Sequence, residues 1–375
     1  MQSRLLELLR CPECGAKLEL LVLNAETHAE ISEGLLHCAG EHWFPIVRGI
    51  PNFLPDALSD HWDGIARYLP KSPPASLETL ISASRKSAGS KLAPDRTSQN
   101  FSLEWANHEL GGNTWGIGLP DRVEAFFTLP LRIAPVDLHG KVMLDAGCGN
   151  GSQSVAYTKL GLEVIAIDLS SGLEHGYAFR RLHEGAKPEK VHFVRADLRR
   201  PPLAAGSVDI IHSAGVLHHT PDTRKTFGAL LPLLRPGGTF YVWLYKHEPY
   251  VTPLVNSLRA ITTRIPPAAF AVIAKVMALP FILFCRTVNA LGIRQYPSMS
   301  RREAAMALMD IFGAPYAHYH SFAEVSRWYD EAGFKEVWPC NDGRRGFGVC
   351  GRLGQVAERE LSEASRSAVA GFAAN

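Results

Sequence analysis

The sequence predicts an α/β protein: a parallel sheet covered by helices on both faces, with a small metal-binding unit in front and a helical insertion near the end. Three observations predict it. Apolar strand-length runs alternate with helical patterns from Lys141 to Tyr245, as a sheet buried on both faces requires. Cysteines cluster at the start, Cys11, Cys14 and Cys38, while Cys148, Cys285, Cys340 and Cys350 are scattered. From Pro249 to Arg302 there is no acidic residue, yet seven Lys or Arg stand among many apolar ones.

With 375 residues the chain has room for two or three folded units. A net charge of +2 gives no sign of bulk nucleic-acid binding. Met1 to Arg10 is short and amphipathic and runs straight into Cys11, without the long apolar segment of a secretion signal. The expected location is therefore the cytoplasm, where thiols stay reduced and clustered cysteines point to metal.

Residues 1–55 read as a compact unit: a helix at Leu5–Leu9, a Cys-Pro-Glu-Cys-Gly knuckle, and strands at Leu18–Leu23 and Leu35–Cys38. Cys11-x-x-Cys14 and Cys38-x-x-x-His42 supply four soft or borderline donors in two pairs, the set a closed tetrahedral zinc site needs. His37 is a rival fourth ligand, although its place inside a strand pairs poorly with Cys38. With all four positions filled by protein, the metal reads as structural. A variant losing Cys14 is expected to lose the metal and keep the rest folded. Residues 56–100, with Pro70, Pro73, Pro74 and a Ser/Ala/Lys-rich run, read as a polar linker with room for one helix.

The main domain then spans 101–354. Its strands are Val142–Leu144, Glu163–Asp168, Val191–Val194, Val208–His212 and Thr239–Tyr245. Helices run from Gln153 to Leu160, on to Arg180 after the second strand, and from Asp222 to Leu234, where Pro236-Gly237-Gly238 stops the last. The insertion, 249–315, starts with Val251, Leu254, Val255, Leu258 and Ile261 at helical spacing and stops at Pro266-Pro267. Phe270 to Leu291 is strongly apolar, but Lys275, Pro280 and Arg286 divide it into pieces expected to be too short to span a bilayer. Ser300/Glu303 and Ser321/Glu324 fit capping boxes for two more helices. Phe334–Trp338 and Phe347–Gly351 read as the last strands, and 355–375 as a frayed or helical tail.

Leu144-Asp145-Ala146-Gly147-Cys148-Gly149-Asn150-Gly151 sits where the first strand turns into the first helix. Glycines there admit a tight turn and close approach of a ligand to backbone. Nicotinamide enzymes use a similar loop, and three details separate the two. The spacing is G-x-G-x-G, with Ser152 where a dinucleotide fingerprint wants its third glycine. Asp168 closes the second strand about 20 residues on, where a carboxylate accepts both ribose hydroxyls. Asp197 closes the third, in reach of an adenine amino group.

On these residues, with SVDIIHSAGVLHHTPD and LLRPGG, the stretch Gly140–Trp243 resembles the class I S-adenosylmethionine-dependent methyltransferases of the group that includes the quinone-biosynthesis enzymes. The resemblance implies a Rossmann-like, mostly parallel sheet whose last strand is antiparallel. It also implies that Asp145, Gly147, Gly149 and Gly151 cradle the methionine part of S-adenosylmethionine and Asp168 its ribose. Asp197 and Leu198 would flank adenine, and Ser213 to Gly215 the sulfonium side. It says little about the acceptor, because the sulfonium is already electrophilic and the protein mainly holds a nucleophile in line. His218 and His219, after the fourth strand, are candidate bases; packing against the cofactor is the other reading. Tyr316, His318 and His320 form a second polar-aromatic cluster, facing the acceptor or simply the surface.

Through LLELLRCPECGAKLEL and WFPIVRGIPNFLP, residues 1–55 resemble the zinc-ribbon proteins that activate tRNA and protein methyltransferases. They depart from that pattern with C-x-x-x-H in place of a second C-x-x-C. A Cys-Cys-Cys-His ribbon before a methyltransferase domain also resembles the ribosomal RNA guanine methyltransferases. The expected acceptor is a small or lipid-linked molecule methylated on oxygen or carbon. RNA, bound by the ribbon and the basic insertion, is the alternative. RNA readers interleave aromatic and basic residues, whereas here the basic ones sit among aliphatics. The insertion reads as a lid over the acceptor, with or without contact to a membrane's inner face.

Overall fold

The structure, a computed structural model, describes residues 1–27, 30–55, 57–69, 77, 96–106, 108–293, 296–341, 343 and 345–354. The expected tail at 355–375 and most of the linker lie outside the described residues.

Helix α1 (Ser3–Leu8) leads into a four-stranded antiparallel sheet, β1 (Leu18–Thr27), β2 (Glu30–Cys38), β3 (Trp43–Val47) and β4 (Ile50–Pro51), paired in that order. Strand alternation gives β2 two apolar faces. Leu35 turns to Ile65 and Leu77, so the first part of the expected linker, with helical turns at Ala57–Asp60 and Trp62–Ala66, packs as part of the ribbon. Leu36 turns the other way, into a core that also holds Leu5, Leu9, Phe44 and Phe53.

The second sheet has seven strands in the order β10-β11-β9-β8-β5-β6-β7. They are β5 (Val142–Ala146), β6 (Glu163–Asp168), β7 (Val191–Arg195), β8 (Val208–Ala214), β9 (Leu234–Tyr245), β10 (Phe334–Cys340) and β11 (Gly346–Leu353). β5 to β9 pair parallel and β11 pairs antiparallel to both neighbours, as the resemblance implies. β9 begins at Leu234, so Pro236-Gly237-Gly238 lies inside the strand's first residues and not between helix and strand. Helices α3 (Ser152–Tyr157), α4 (Leu173–Phe179) and α5 (Thr223–Leu230) connect the parallel strands. An earlier helix, α2 (Arg96–Ala106), starts ahead of the expected domain boundary.

The ribbon is not a separate bead. β7 is an edge strand, and the segment after β4 pairs alongside it: Asn52 bridges Arg195 in parallel, and Phe53 N–H donates to the Arg195 carbonyl at 2.8 Å. Covering that edge protects backbone groups that would otherwise recruit another strand. One apolar cluster runs from Leu5, Leu9 and Cys38 to Val194, Leu198 and Leu203. The ribbon and the seven-stranded sheet thus share one core, so losing the metal is expected to disturb both, and not to leave the rest folded as the sequence alone leads one to expect.

The insertion holds α6 (Val251–Thr262), α7 (Pro267–Ala290) and α8 (Arg301–Leu308), the last followed by a π-helical turn, Met309–Gly313. Here the reading of short pieces fails: α7 is one continuous helix of 24 residues. Lys275 and Arg286 are ordinary helix formers. Pro280 is exposed, so the carbonyl it leaves unpaired faces water and not the core. Helix α9 (Phe322–Glu331) precedes β10.

Candidate functional site

The loop after β5 has the backbone its glycines permit. Gly147, Gly149 and Gly151 have φ of +88°, +59° and +72°, where a side chain is strained. A Cβ at Gly149 would stand 2.5 Å from the Trp105 ring, and one at Gly147 2.3 Å from Val216. Helix α2 therefore lies directly over the loop, with Trp105 also against Gly172.

Asp168, at the end of β6, holds that loop: its two carboxylate oxygens accept the N–H groups of Gly149 and Ser170, each at 2.7 Å. Burial pushes its carboxyl up, against the pull of those donors. A carboxylate accepts about four hydrogen bonds, so two backbone donors leave it free capacity. Asp145 faces inward, accepting from Ser154 Oγ at 2.6 Å, with His212 at 3.5 Å. Ser213 is buried and donates to the Ala146 carbonyl at 2.9 Å, tying the ends of β8 and β5 together, while Gly215 at φ +79° has open space where a Cβ would go. Asp197 is engaged by Arg199 through its backbone N–H and guanidinium, and Leu198 belongs to the core shared with the ribbon.

Three buried carboxyl groups, Asp168, Glu104 and Asp310, lie within electrostatic reach of one another around this loop. Glu104, on α2, is 2 % exposed and its Oε2 has no hydrogen-bond partner. Burial, then the neighbouring charges of Asp310 and Asp168, push its carboxyl well above the usual range. Such a cluster suits a cationic ligand, whose charge lowers the cost of ionising all three.

The two candidate histidines separate. His218 is fully buried, lies 4.0 Å from the Tyr245 ring, and neither nitrogen finds a partner among the described residues. Burial, then His219, hold it well below the usual histidine range, so it is a neutral wall. His219 has polar neighbours at both nitrogens: Nδ1 lies 2.8 Å from the Tyr316 carbonyl and Nε2 3.0 Å from Asp310 Oδ1, off the line a hydrogen bond prefers. A carbonyl can only accept, so Nδ1 is the donor of the first pair, and Nε2 faces the carboxylate. Burial alone would raise Asp310; His219 and the Tyr245 hydroxyl, which donates to its other oxygen, overcome this and hold it below its ordinary value. Asp310 sits in the π-helical turn between Met309 and Ile311. An isolated acid in an apolar run was the signal available for it; Glu104, in an unremarkable helix, carried none. Of the second cluster, His320 accepts or donates to Glu324 and Thr223, each at 3.0 Å, and helps line a cavity of about 400 Å³ with Asp222, His318 and Trp328.

In the ribbon, the ligand atoms of Cys11, Cys14, Cys38 and His42 all lie within 4.8 Å of one another. Cys14 and Cys38 sulfurs are 3.6 Å apart, and His42 Nδ1 is 3.4 Å from Cys38 and 3.6 Å from Cys11. A tetrahedron with bonds of about 2.3 Å to sulfur and 2.0–2.1 Å to nitrogen has edges of roughly 3.5–3.8 Å, so the donors fit a metal ion. His37 is excluded from the set: it stacks on Trp43 at 4.5 Å and faces Glu19.

Comparison with known proteins defines the class. Residues 144–242 match the methyltransferase domain family, and residues 2–49 the Trm112p-like protein family. The chain therefore carries a class I, Rossmann-like methyltransferase domain behind a Trm112p-like N-terminal domain. Among relatives, it is 34% identical over 151 residues to an uncharacterized chloroplastic methyltransferase of Arabidopsis thaliana, covering 39% of this chain and 42% of that one. It is 36% identical over 117 residues to the ubiquinone biosynthesis O-methyltransferase of Aromatoleum aromaticum, covering 30% and 49%. The chain spans about half the length, or less, of the first curated relatives it matches. A solved complex of the Haloferax volcanii Trm112 methyltransferase activator with a methyltransferase aligns at 13% identity and TM-score 0.41, covering 70% of this chain and 100% of that one.

Proposed function

We propose that this protein is an S-adenosylmethionine-dependent methyltransferase acting on an oxygen or carbon nucleophile of a small or lipid-linked acceptor. The observation that carries the reading is the glycine loop held by Asp168, with buried Glu104 and Asp310 in electrostatic reach, a group of carboxyls whose ionisation a cationic ligand would favour. When bound, the donor supplies an electrophilic methyl group. Gly147, Gly149 and Gly151 let backbone approach its methionine part, with Asp145 beneath them. Asp168 has capacity for the ribose hydroxyls, Asp197 and Leu198 flank adenine, and Ser213 and Gly215 border the sulfonium side.

His219 is the residue fitted to take a proton from the acceptor. With Nδ1 committed to Tyr316, a proton arriving at Nε2 is stabilised by the Asp310 carboxylate beside it. His218 and Tyr245 wall the same space. In the ribbon, the Cys3His set holds a structural zinc. An acceptor of apolar character, met at the inner face of a membrane, agrees with an insertion whose cations stand among aliphatic side chains.

Calorimetry tests the donor assignment. S-adenosylmethionine should bind, and Asp168→Ala should weaken it roughly ten- to a hundredfold through lost charge-assisted hydrogen bonds. Unchanged affinity in the variant, or tighter binding of NAD, overturns it. For the acceptor, labelled methyl groups should enter a lipid extract; entry into RNA instead makes the ribbon and insertion an RNA-binding apparatus.

A further inference from the structure

Two-thirds of the exposed large apolar side chains among the described residues lie between Tyr250 and Ile293. They are ordered. On α6, Val251, Leu254, Leu258 and Ile261 recur at spacings of three and four, forming one outer stripe. On α7, Val272, Val276, Leu279 and Leu283 do the same, flanked by exposed Ile273, Met277 and Phe284. The inner sides of both helices rest on the π-helical turn: Arg259 of α6 donates to the Ile311 carbonyl at 2.7 and 2.9 Å, and Phe270 of α7 packs beside Gly313.

Exposed cations border this surface. Arg264 lies in the turn between the helices, while Lys275 and Arg286 follow one edge of the α7 stripe. Arg301, at the start of α8, reaches back to the Lys275 carbonyl at 3.4 Å and adds to that edge. No acidic residue occurs between Pro249 and Arg302 to offset them.

We propose that the outer face of α6 and α7 docks on an anionic lipid surface, with both helices lying in the plane of the interface. An apolar stripe edged by Lys and Arg is the arrangement that buries side chains at the acyl boundary while cations meet lipid phosphates. A second copy of the chain is the poorer occupant. A two-fold contact would press two such faces together, each edged by Arg264, Lys275 and Arg286 and neither with an acidic residue of the 249–302 stretch to offset them. Spanning is also disfavoured, although α7 is long and apolar enough to cross a bilayer by length and composition. Its inner stripe, Ala271, Ala274 and Ala278, is clamped on Ala304, Ala305 and Leu308 of α8, a helix that opens with Arg301, Arg302 and Glu303.

This docking deepens the lipid-linked reading of the acceptor and rests on it for its purpose, yet its test needs no turnover. The full chain is sedimented with vesicles of phosphatidylcholine alone or mixed with phosphatidylglycerol, while S-adenosylmethionine binding is followed by calorimetry. The protein should pellet with the anionic vesicles and be released by salt. Both the triple variant Arg264→Glu/Lys275→Glu/Arg286→Glu and the apolar variant Leu279→Asn/Leu283→Asn should reduce binding on the order of tenfold or more with donor affinity intact. Leu129→Asn/Leu182→Asn, equally exposed but elsewhere, should bind as the parent does. Failure to pellet with donor binding intact, equal recovery on both vesicle types, a stable dimer dissolved by Leu279→Asn/Leu283→Asn, or resistance to alkaline extraction each overturns the proposal. Loss of donor binding in the parent protein would instead overturn the methyltransferase reading and leave the docking result standing.

Discussion

At the scale of single residues, Glu104 has the clearest measurable consequence. Its carboxyl is raised well above the ordinary glutamate value of 4.5, by burial first and by Asp310 and Asp168 next. A carboxyl raised in the folded state contributes stability that is complete below its unfolded pKa and lost as pH climbs through the folded one. The ligand-free protein should therefore melt at progressively lower temperature as pH rises above about 4.5, and Glu104→Gln should flatten that slope. A cationic donor entering the site should drive the proton off Glu104. Calorimetry in two buffers of different ionisation heat should show proton release on binding S-adenosylmethionine, and none in Glu104→Gln. Equal release in both proteins would mean that Glu104 does not face the donor. The same scale separates the adjacent histidines: the nitrogens of His218 find no hydrogen-bond partner among the described residues, whereas His219 has a carbonyl at one nitrogen and a carboxylate at the other.

At the scale of elements, local signals and tertiary ties combine at the start of α8. The capping box is complete: Ser300 Oγ accepts the Glu303 N–H at 3.2 Å, and the Glu303 carboxylate accepts the Ser300 N–H at 2.8 Å. Glu303 spends its second oxygen on a distant partner, the Gly116 N–H at 2.7 Å. Ser300→Ala should thus cost about 0.5–2 kcal/mol, the usual loss for a cap. Glu303→Ala should cost more, because it frees the part-buried Gly116 backbone donor as well. Urea denaturation distinguishes them; equal costs would show the Gly116 tie to be neutral. The box was plain in the sequence, Ser followed three residues on by Glu, but the second bond joins residues nearly two hundred positions apart.

At the scale of the whole molecule, the ribbon and the catalytic sheet share one core and one sheet edge. Ion pairs reinforce the joint: Glu30 of β2 accepts from Arg181 at 2.6 Å and from the Tyr177 hydroxyl at 3.0 Å. One tightly held zinc per chain is expected after dialysis. Its removal by chelator, or by Cys14→Ser, should lower the melting temperature of the entire chain in a single transition, since metal binding contributes directly to folding the ribbon. Two separate transitions, with the catalytic domain melting unchanged, would show the shared core to be energetically unimportant.

The sequence by itself determined the alternation of strands and helices from Lys141 to Tyr245, the glycine loop, the acid at the end of β6 and the Cys11, Cys14, Cys38 and His42 cluster. These are local: alternation, punctuation by glycine and proline, and short spacings such as C-x-x-C and G-x-G-x-G are written within a few residues. Tertiary structure alone decided the rest. It put Glu104, Asp168 and Asp310 from three separate elements within electrostatic reach of one another, gave His218 and His219 different surroundings, and turned His37 away from the Cys3His cluster by stacking it on Trp43. It also kept α7 whole through Pro280, because that residue faces outward and its missing hydrogen bond falls in water. Joining the ribbon to the edge of the sheet was beyond the sequence for the same reason. Which surface covers which edge depends on long-range burial, and burial is a property of the folded chain that no local pattern records.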